Sequence, residues 1–190
     1  EVVFAEAGDV KILKAAQVSY EEGVAFPILL GDRDVILALM EEYNVELPEV
    51  TIIDPKADSE EERRTNFGKE FFQRRKRKGL TEFEAVKLMR ERNHFGAMMV
   101  DMGFADAMIT GLTRSYRSTV KPLLQIIGLE KDVKTAAGMY ILNTKRGPMF
   151  LADTTVNLNP NASQIAEITI NVAKTIRKLK VQPKIALLSY

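Results

Sequence analysis

The sequence predicts an open α/β fold built on a mostly parallel sheet. Three observations carry this. Strand and helix patterns alternate from the first residues onward. Residues 25–30 are apolar almost throughout, as strands covered on both faces tend to be. A strand, polar turn and helix follow one another over residues 105–125. A chain of 190 residues allows one large domain, or one domain and part of another. Hydrophobic residues at 46% and charged residues at 28% give the balance of a soluble globular protein.

The first strand is Val2, Val3, Phe4 and Ala5, and it passes through Gly8 into a helix over residues 9–22. Val10, Leu13, Ala16 and Val18 recur there at a period of roughly 3.6, and Gly23 closes the helix. After the apolar strand at 25–30, Gly31 and Asp32 cap a helix reaching Tyr43. Residues 50–53 form a third strand, ended by Asp54 and Pro55. A charged helical stretch follows, with capping boxes expected at Ser59 with Glu62 and at Thr81 with Glu84. Between them Arg74, Arg75, Lys76, Arg77 and Lys78 stand in an unbroken row before Gly79. Cations favour a helix C-terminus and glycine ends it. The competing reading has one or two of these cations pointing into a cleft. Phe71 and Phe72 are assigned to the core. Helices over 82–92 and 95–102 come next, the second carrying Met98 and Met99 as core filler. His94, the only histidine, is placed between them as a cap or loop residue rather than a catalytic base.

Residues 107–109 read as a buried strand broken by Gly111, and a helix follows with Ser118 or Thr119 as N-cap and Pro122 in its first turn. Free backbone N–H groups and the positive end of the helix dipole favour an anion at such a junction. Arg114, Arg117 and Lys121 add charge, and Thr113, Ser115, Ser118 and Thr119 add hydroxyls, which makes this a candidate phosphate or carboxylate site. Beyond it the pattern changes. Residues 137–142 and 148–152 read as a hairpin turning at 143–147, which suggests a second subdomain. Asp153 and Asn157 stand at a strand end, where a cleft role and plain turn chemistry are both open. Asn161 and Gln164 cap a helix to Leu179, and residues 184–190 read as a last strand. Both ends abut strands, so a piece of a longer polypeptide is expected.

Other classes find no support. Net charge is +1, so neither a nucleic-acid partner nor an acidic surface is indicated. The absence of cysteine removes disulfides, thiolate metal sites and a cysteine nucleophile. No apolar run approaches the roughly 18 residues of a membrane span and no signal peptide is visible, so a cytoplasmic protein without a membrane partner is expected. The nucleoside-triphosphate loop, the dinucleotide glycine fingerprint and the serine-hydrolase elbow are absent.

Several segments carry a family likeness. They are Phe26-Pro27-Ile28-Leu29-Leu30-Gly31-Asp32, Arg75-Lys76-Arg77-Lys78-Gly79, Ala105-Asp106-Ala107-Met108, Lys121-Pro122-Leu123-Leu124-Gln125-Ile126-Ile127, Ala166-Glu167-Ile168 and residues 183–190. On these the chain resembles the phosphate acetyltransferase/butyryltransferase family. Thr110-Gly111-Leu112-Thr113-Arg114-Ser115-Tyr116 and Leu151-Ala152-Asp153-Thr154-Thr155-Val156-Asn157 look closer to the phosphotransacetylase-like C-terminal domain of bacterial hybrid NADP-dependent malic enzymes.

The resemblance implies a phosphotransacetylase-like (isocitrate/isopropylmalate dehydrogenase-like) three-layer sandwich. Its two α/β subdomains would be residues 1–128 and an incomplete 129–190, with the ligand cleft between them. Of the family's two site arginines, one falls on Arg75. The other falls on Lys121, which keeps the charge but lacks arginine's planar bidentate fork. The expected acyl-CoA or phosphate contacts are Arg75, Thr113, Arg114, Ser115, Tyr116, Arg117 and Lys121, with Arg75 and Lys121 as remnant transferase positions, no catalytic residue assigned and no metal site. The implied role is an acetyl-CoA-sensing, oligomerising domain, at least dimeric. The malic enzyme it serves decarboxylates malate to pyruvate with NADP and a divalent metal (Mg or Mn) in an N-terminal domain not in this sequence. The alternative is an active phosphate acetyltransferase moving acetyl between CoA and phosphate.

Overall fold

Four short strands organise the first 128 residues: β1 (Val2–Phe4), β2 (Pro27–Leu30), β3 (Thr51–Ile53) and β4 (Ala107–Ile109). They pair in parallel in the order β3-β2-β1-β4. The computed structural model describes residues 1–188 and divides into two units, Glu1–Gly128 and Leu129–Tyr190.

In the first unit, side chains alternate across the sheet with the period of two that a strand imposes. Val3, Ala5, Ile28 and Leu30 enter one hydrophobic cluster, and Phe4 and Leu29 enter the other. Helices α1 (Val10–Glu21) and α2 (Arg33–Glu42) supply Leu13, Ala16 and Ile36 to the second cluster. Helices α3 (Glu61–Arg75), α4 (Glu82–Leu88) and α5 (Arg92–Asp101) supply Phe67, Phe71, Ala85, Phe95 and Met98 to the first. Helix α6 (Tyr116–Ile126) joins that cluster through Ile126. A parallel sheet with helices on both faces is the α/β class that the apolar strands predict. No helix among the described residues is long and apolar enough to cross a membrane.

Helix α5 lies close against the sheet at Gly96, where any added side chain must displace its neighbours. A Cβ there would stand 2.6 Å from Met108 Sδ and 3.2 Å from both Leu30 and Val3. Overpacking of this kind costs about 1–3 kcal/mol. Gly96→Ala is therefore expected to lower the urea midpoint without changing the slope, and an unchanged midpoint would show that the contact relaxes freely.

Several local expectations are corrected. The box at Ser59 and Glu62 does not form: residues 58–60 wind as a 3-10 turn, and Glu60, the cap of α3, makes no side-chain capping bond. Arg64 sets this by donating to the carbonyls of Pro55 and Ala57, which fixes the incoming loop. The Thr81–Glu84 box does form. The helix expected over 82–92 stops at Leu88, and α5 starts at Arg92, so His94 is helical. The cap of α6 is Ser115, three residues earlier than Ser118, and Pro122 lies inside the helix. A proline there leaves the carbonyl four residues back without its N–H. That carbonyl, of Ser118, accepts from Asn93 Nδ2 at 3.4 Å instead.

The second unit holds an antiparallel hairpin, β5 (Met139–Thr144) and β6 (Gly147–Ala152), and helix α7 (Ala162–Lys178) with its Asn161–Gln164 capping box. The ladder continues to the Thr144–Gly147 pair, so the turn is tighter than expected. Residues 184–188 form no strand, and Ser189 and Tyr190, the rest of that expected strand, lie outside the described residues.

Candidate functional site

Strand order places a crevice. From β1 the chain adds β2 and β3 on one side, then returns to set β4 on the other. The helices after β1 and β4 therefore pack on opposite faces of the sheet, and in open α/β sheets ligands bind outside the carboxyl ends of the strands at such a switch point. A cavity of about 420 Å³ opens there, with Glu6 after β1 and Arg114 after β4 among its walls. That volume lies within the roughly 300–1,000 Å³ of small-molecule sites.

Glu6 is 2% exposed. Its Oε2 accepts the backbone N–H groups of Gly111 (3.2 Å), Leu112 (2.7 Å) and Thr113 (3.1 Å), while Oε1 is buried without a partner among the described residues. The loop whose N–H groups the sequence offers to an external anion has thus already taken an internal one. Thr113 is part of that fastening rather than of the cavity wall. Ser115 caps α6, its Oγ accepting from Ser118 N–H at 3.4 Å. Thr119 is buried and donates to the Ser115 carbonyl. Tyr116, 47% exposed, and Arg117 occupy the first turn of α6 away from the cavity lining.

The charge at the cavity comes from side chains. Arg75, Lys78, Arg92, Arg114 and Lys121 line it, against the carboxylates of Glu6, Glu84 and Glu91. Glu84 is held by the Thr81 cap, whose backbone N–H and hydroxyl keep its carboxyl below the usual range. Among the described residues none of these five cations makes an ion pair or a side-chain hydrogen bond. Of the row at 74–78, Arg74 is spent on Glu70 and Asp101, and Lys76 on Gln73, while Arg75 and Lys78 reach the cavity. Gly79, at φ 82°, ends the row in the left-handed conformation. Both readings of the charge run therefore hold, for different residues.

His94 also lines the cavity, its ring edge-on to Phe71 at 6.0 Å. Burial pushes its imidazole down to about 4; Glu91 pulls the other way and Lys121 adds to the depression. At neutral pH it supplies hydrogen bonding without charge. Asn93 ties the surrounding loop together, accepting from Thr110 Oγ1 at 2.9 Å. The arrangement can hold a polyanion beside an apolar wall of Phe71, Leu80 and Leu88. Among the described residues no group of three or more histidine, cysteine, aspartate or glutamate side chains could hold a metal ion.

Glu6, Arg92 and His94 were not among the residues the sequence singled out for this site, and Lys78 entered only as one member of the charge run. The one signal for Glu6 is its place directly after the first strand of an α/β pattern.

Residues 1–190 match the family described as phosphate acetyl/butaryl transferase. The chain is 34% identical over 190 residues to a phosphate acetyltransferase of Helicobacter pylori (strain J99), of which it spans 36%. It is equally 34% identical over 190 residues to an NADP-dependent malic enzyme of Haemophilus influenzae, of which it spans 25%. A crystal structure of a phosphotransacetylase from Streptococcus pyogenes superposes with a TM-score of 0.89 at 33% identity, covering 99% of this chain and 56% of that one. The chain thus spans a little more than half of the Streptococcus pyogenes protein, about a third of the Helicobacter pylori acetyltransferase and a quarter of the malic enzyme.

Proposed function

Since the chain belongs to the phosphate acetyl/butyryl transferase family, we propose that it acts as an acyl-CoA-sensing regulatory domain of an NADP-dependent malic enzyme. Its phosphotransacetylase-like domain is one that malic enzymes and phosphate acetyltransferases share. The observation that carries the reading is the set of unpartnered cations around the switch-point cavity, Arg75 and Lys121 among them. Acyl-CoA offers phosphates to such cations and an apolar acyl chain to the wall beside them. Lysine at 121 supplies charge without the bidentate fork that would grip a phosphate or acyl oxygen in one orientation. Binding survives such a change better than catalysis, because catalysis depends on geometry held in the transition state. In this reading malate decarboxylation, with NADP and a divalent metal, belongs to a separate domain, and the present one also helps build a homo-oligomer.

A second reading, an active phosphate acetyltransferase, is favoured by Arg75 at the cavity and by the equal identity to both kinds of relative. There the CoA thiolate attacks the acetyl carbon of acetyl phosphate, the bond from that carbon to the phosphate oxygen breaks, and phosphate leaves. The cations would stabilise the developing oxyanion.

Calorimetric titration with acetyl-CoA separates these. Arg75→Ala and Lys121→Ala are each expected to weaken binding about tenfold, the effect of losing one charge-assisted contact, with no acetyl phosphate formed by any sample. Turnover would replace the sensing reading by the transferase, and no binding by the wild type would remove both.

A further inference from the structure

A second cavity, of about 220 Å³, adjoins the first along the same edge of the sheet. Asp32 after β2, Asp54 and Lys56 after β3, and Arg90 form one side of it. Glu91, Arg92 and Arg114 form the other, and all three also line the first cavity. The two are compartments of one trough. Arg92 is the side chain that joins them. Its guanidinium lies 3.9 Å from where a Cβ would stand at both Gly8 and Gly31. Arg92 thus lies at ordinary contact distance beside the chain leaving both β1 and β2.

The compartments differ in chemistry. The first has Phe71, Leu80, Leu88 and Pro122 in its walls, whereas the second has no large apolar side chain. Four cations stand there against three carboxylates. Two of those carboxylates are occupied with backbone: Asp32 accepts from the N–H groups of Asp34 and Val35, and Asp54 accepts from that of Lys56. Lys56, Arg92 and Arg114 have no side-chain partner among the described residues, and Arg90 has one, the Lys56 carbonyl at 3.3 Å.

We propose that this second compartment is a subsite for a second anionic group of the ligand bound in the first. The ligand is then one that carries anionic groups at more than one place along its length, as the acyl-CoA proposed above does. One anionic group sits with Arg75 and Lys121 and another with Lys56 and Arg90, while Arg92 and Arg114 lie between. A small single anion such as inorganic phosphate fills the first compartment alone. This rests on the acyl-CoA reading above.

Lys56 is exposed and outside the binding residues of the first compartment, so it can be changed without disturbing them. Acetyl-CoA would be titrated into wild type, Lys56→Ala and Lys56→Glu, with inorganic phosphate run as a competitor in each. The expected result is an acetyl-CoA affinity lower by about fivefold in the alanine variant and further reduced in the glutamate variant. Phosphate competition should stay the same, and the dependence of acetyl-CoA binding on salt should become shallower. Unchanged acetyl-CoA affinity in both variants overturns the subsite and leaves the acyl-CoA reading standing, as does a parallel loss in phosphate competition. A wild type that binds no acetyl-CoA overturns both.

Discussion

Glu6→Ala is expected to destabilise the first unit by about 3 kcal/mol and to weaken anionic ligands more than tenfold. One buried oxygen of this carboxylate accepts three consecutive backbone N–H groups, and charge-assisted bonds of that kind are each worth about 1.5–3 kcal/mol. The full sum is not expected. Gly111, Leu112 and Thr113 are exposed, so water replaces part of what is lost, and removing a buried charge also removes its desolvation cost. The effect on binding follows from the chain path. Arg114 is the next residue after the three that Glu6 holds, and a loosened loop leaves its guanidinium unplaced at the cavity.

The variants separate fastening from mere bulk. Glu6→Gln keeps an oxygen that can accept the same three N–H groups, at reduced charge, and is expected to lose about 1 kcal/mol. Formate supplied in solution can enter the space vacated in Glu6→Ala and accept those N–H groups, restoring part of the stability and of the ligand affinity. Urea unfolding and acetyl-CoA titration check both. An alanine variant as stable as wild type would mean the loop holds itself.

The same residue marks where sequence reading stops. Interactions that close within a turn or two were legible. The Thr81 and Asn161 boxes, the Asp32 cap and the Gly79 stop all depend on neighbours a few residues away. Those that failed were decided from a distance. Ser59 and Glu62 have the spacing of a box, but Arg64 holds the loop before them in another path. Pro122 belongs in a first turn by local rules. It is accommodated in the middle of α6 because Asn93, on another helix, takes up the carbonyl it leaves unpaired. Glu6 and the loop it fastens are more than a hundred residues apart, and no local pattern links them. The chemistry of the loop, polar and flanked by cations, was readable. What the loop's N–H groups had already bound was not.

Asp153→Ala is the second large effect, about 2 kcal/mol of stability in the second unit. Asp153 accepts the N–H groups of Gly138 (3.0 Å), Val156 (3.2 Å) and Asn157 (2.9 Å), and also the side-chain amide of Asn157. That amide binds the Ala136 carbonyl as well, so one carboxylate gathers the chain entering β5 and the chain leaving β6. The strand-end position therefore serves turn chemistry. Partial burial pushes the carboxyl up, but the hydrogen bonds from Asn157, Gly138 and Val156 outweigh it and leave it below its ordinary value. A carboxylate depressed in the folded state stabilises fully above its unfolded value of about 3.9, and that contribution is lost as pH falls through the folded value. Glu167 acts in the same direction, held low by the Lys134 N–H and the Thr135 hydroxyl. Protection of the amides of residues 139–152 against hydrogen exchange should thus be flat from neutral pH to about 5, once corrected for intrinsic exchange, and should fall below about 4. In Asp153→Ala protection should be lower at every pH, and the acid-side fall should shrink to the part that Glu167 contributes. Equal protection in variant and wild type at neutral pH would show that the hairpin does not depend on this carboxylate.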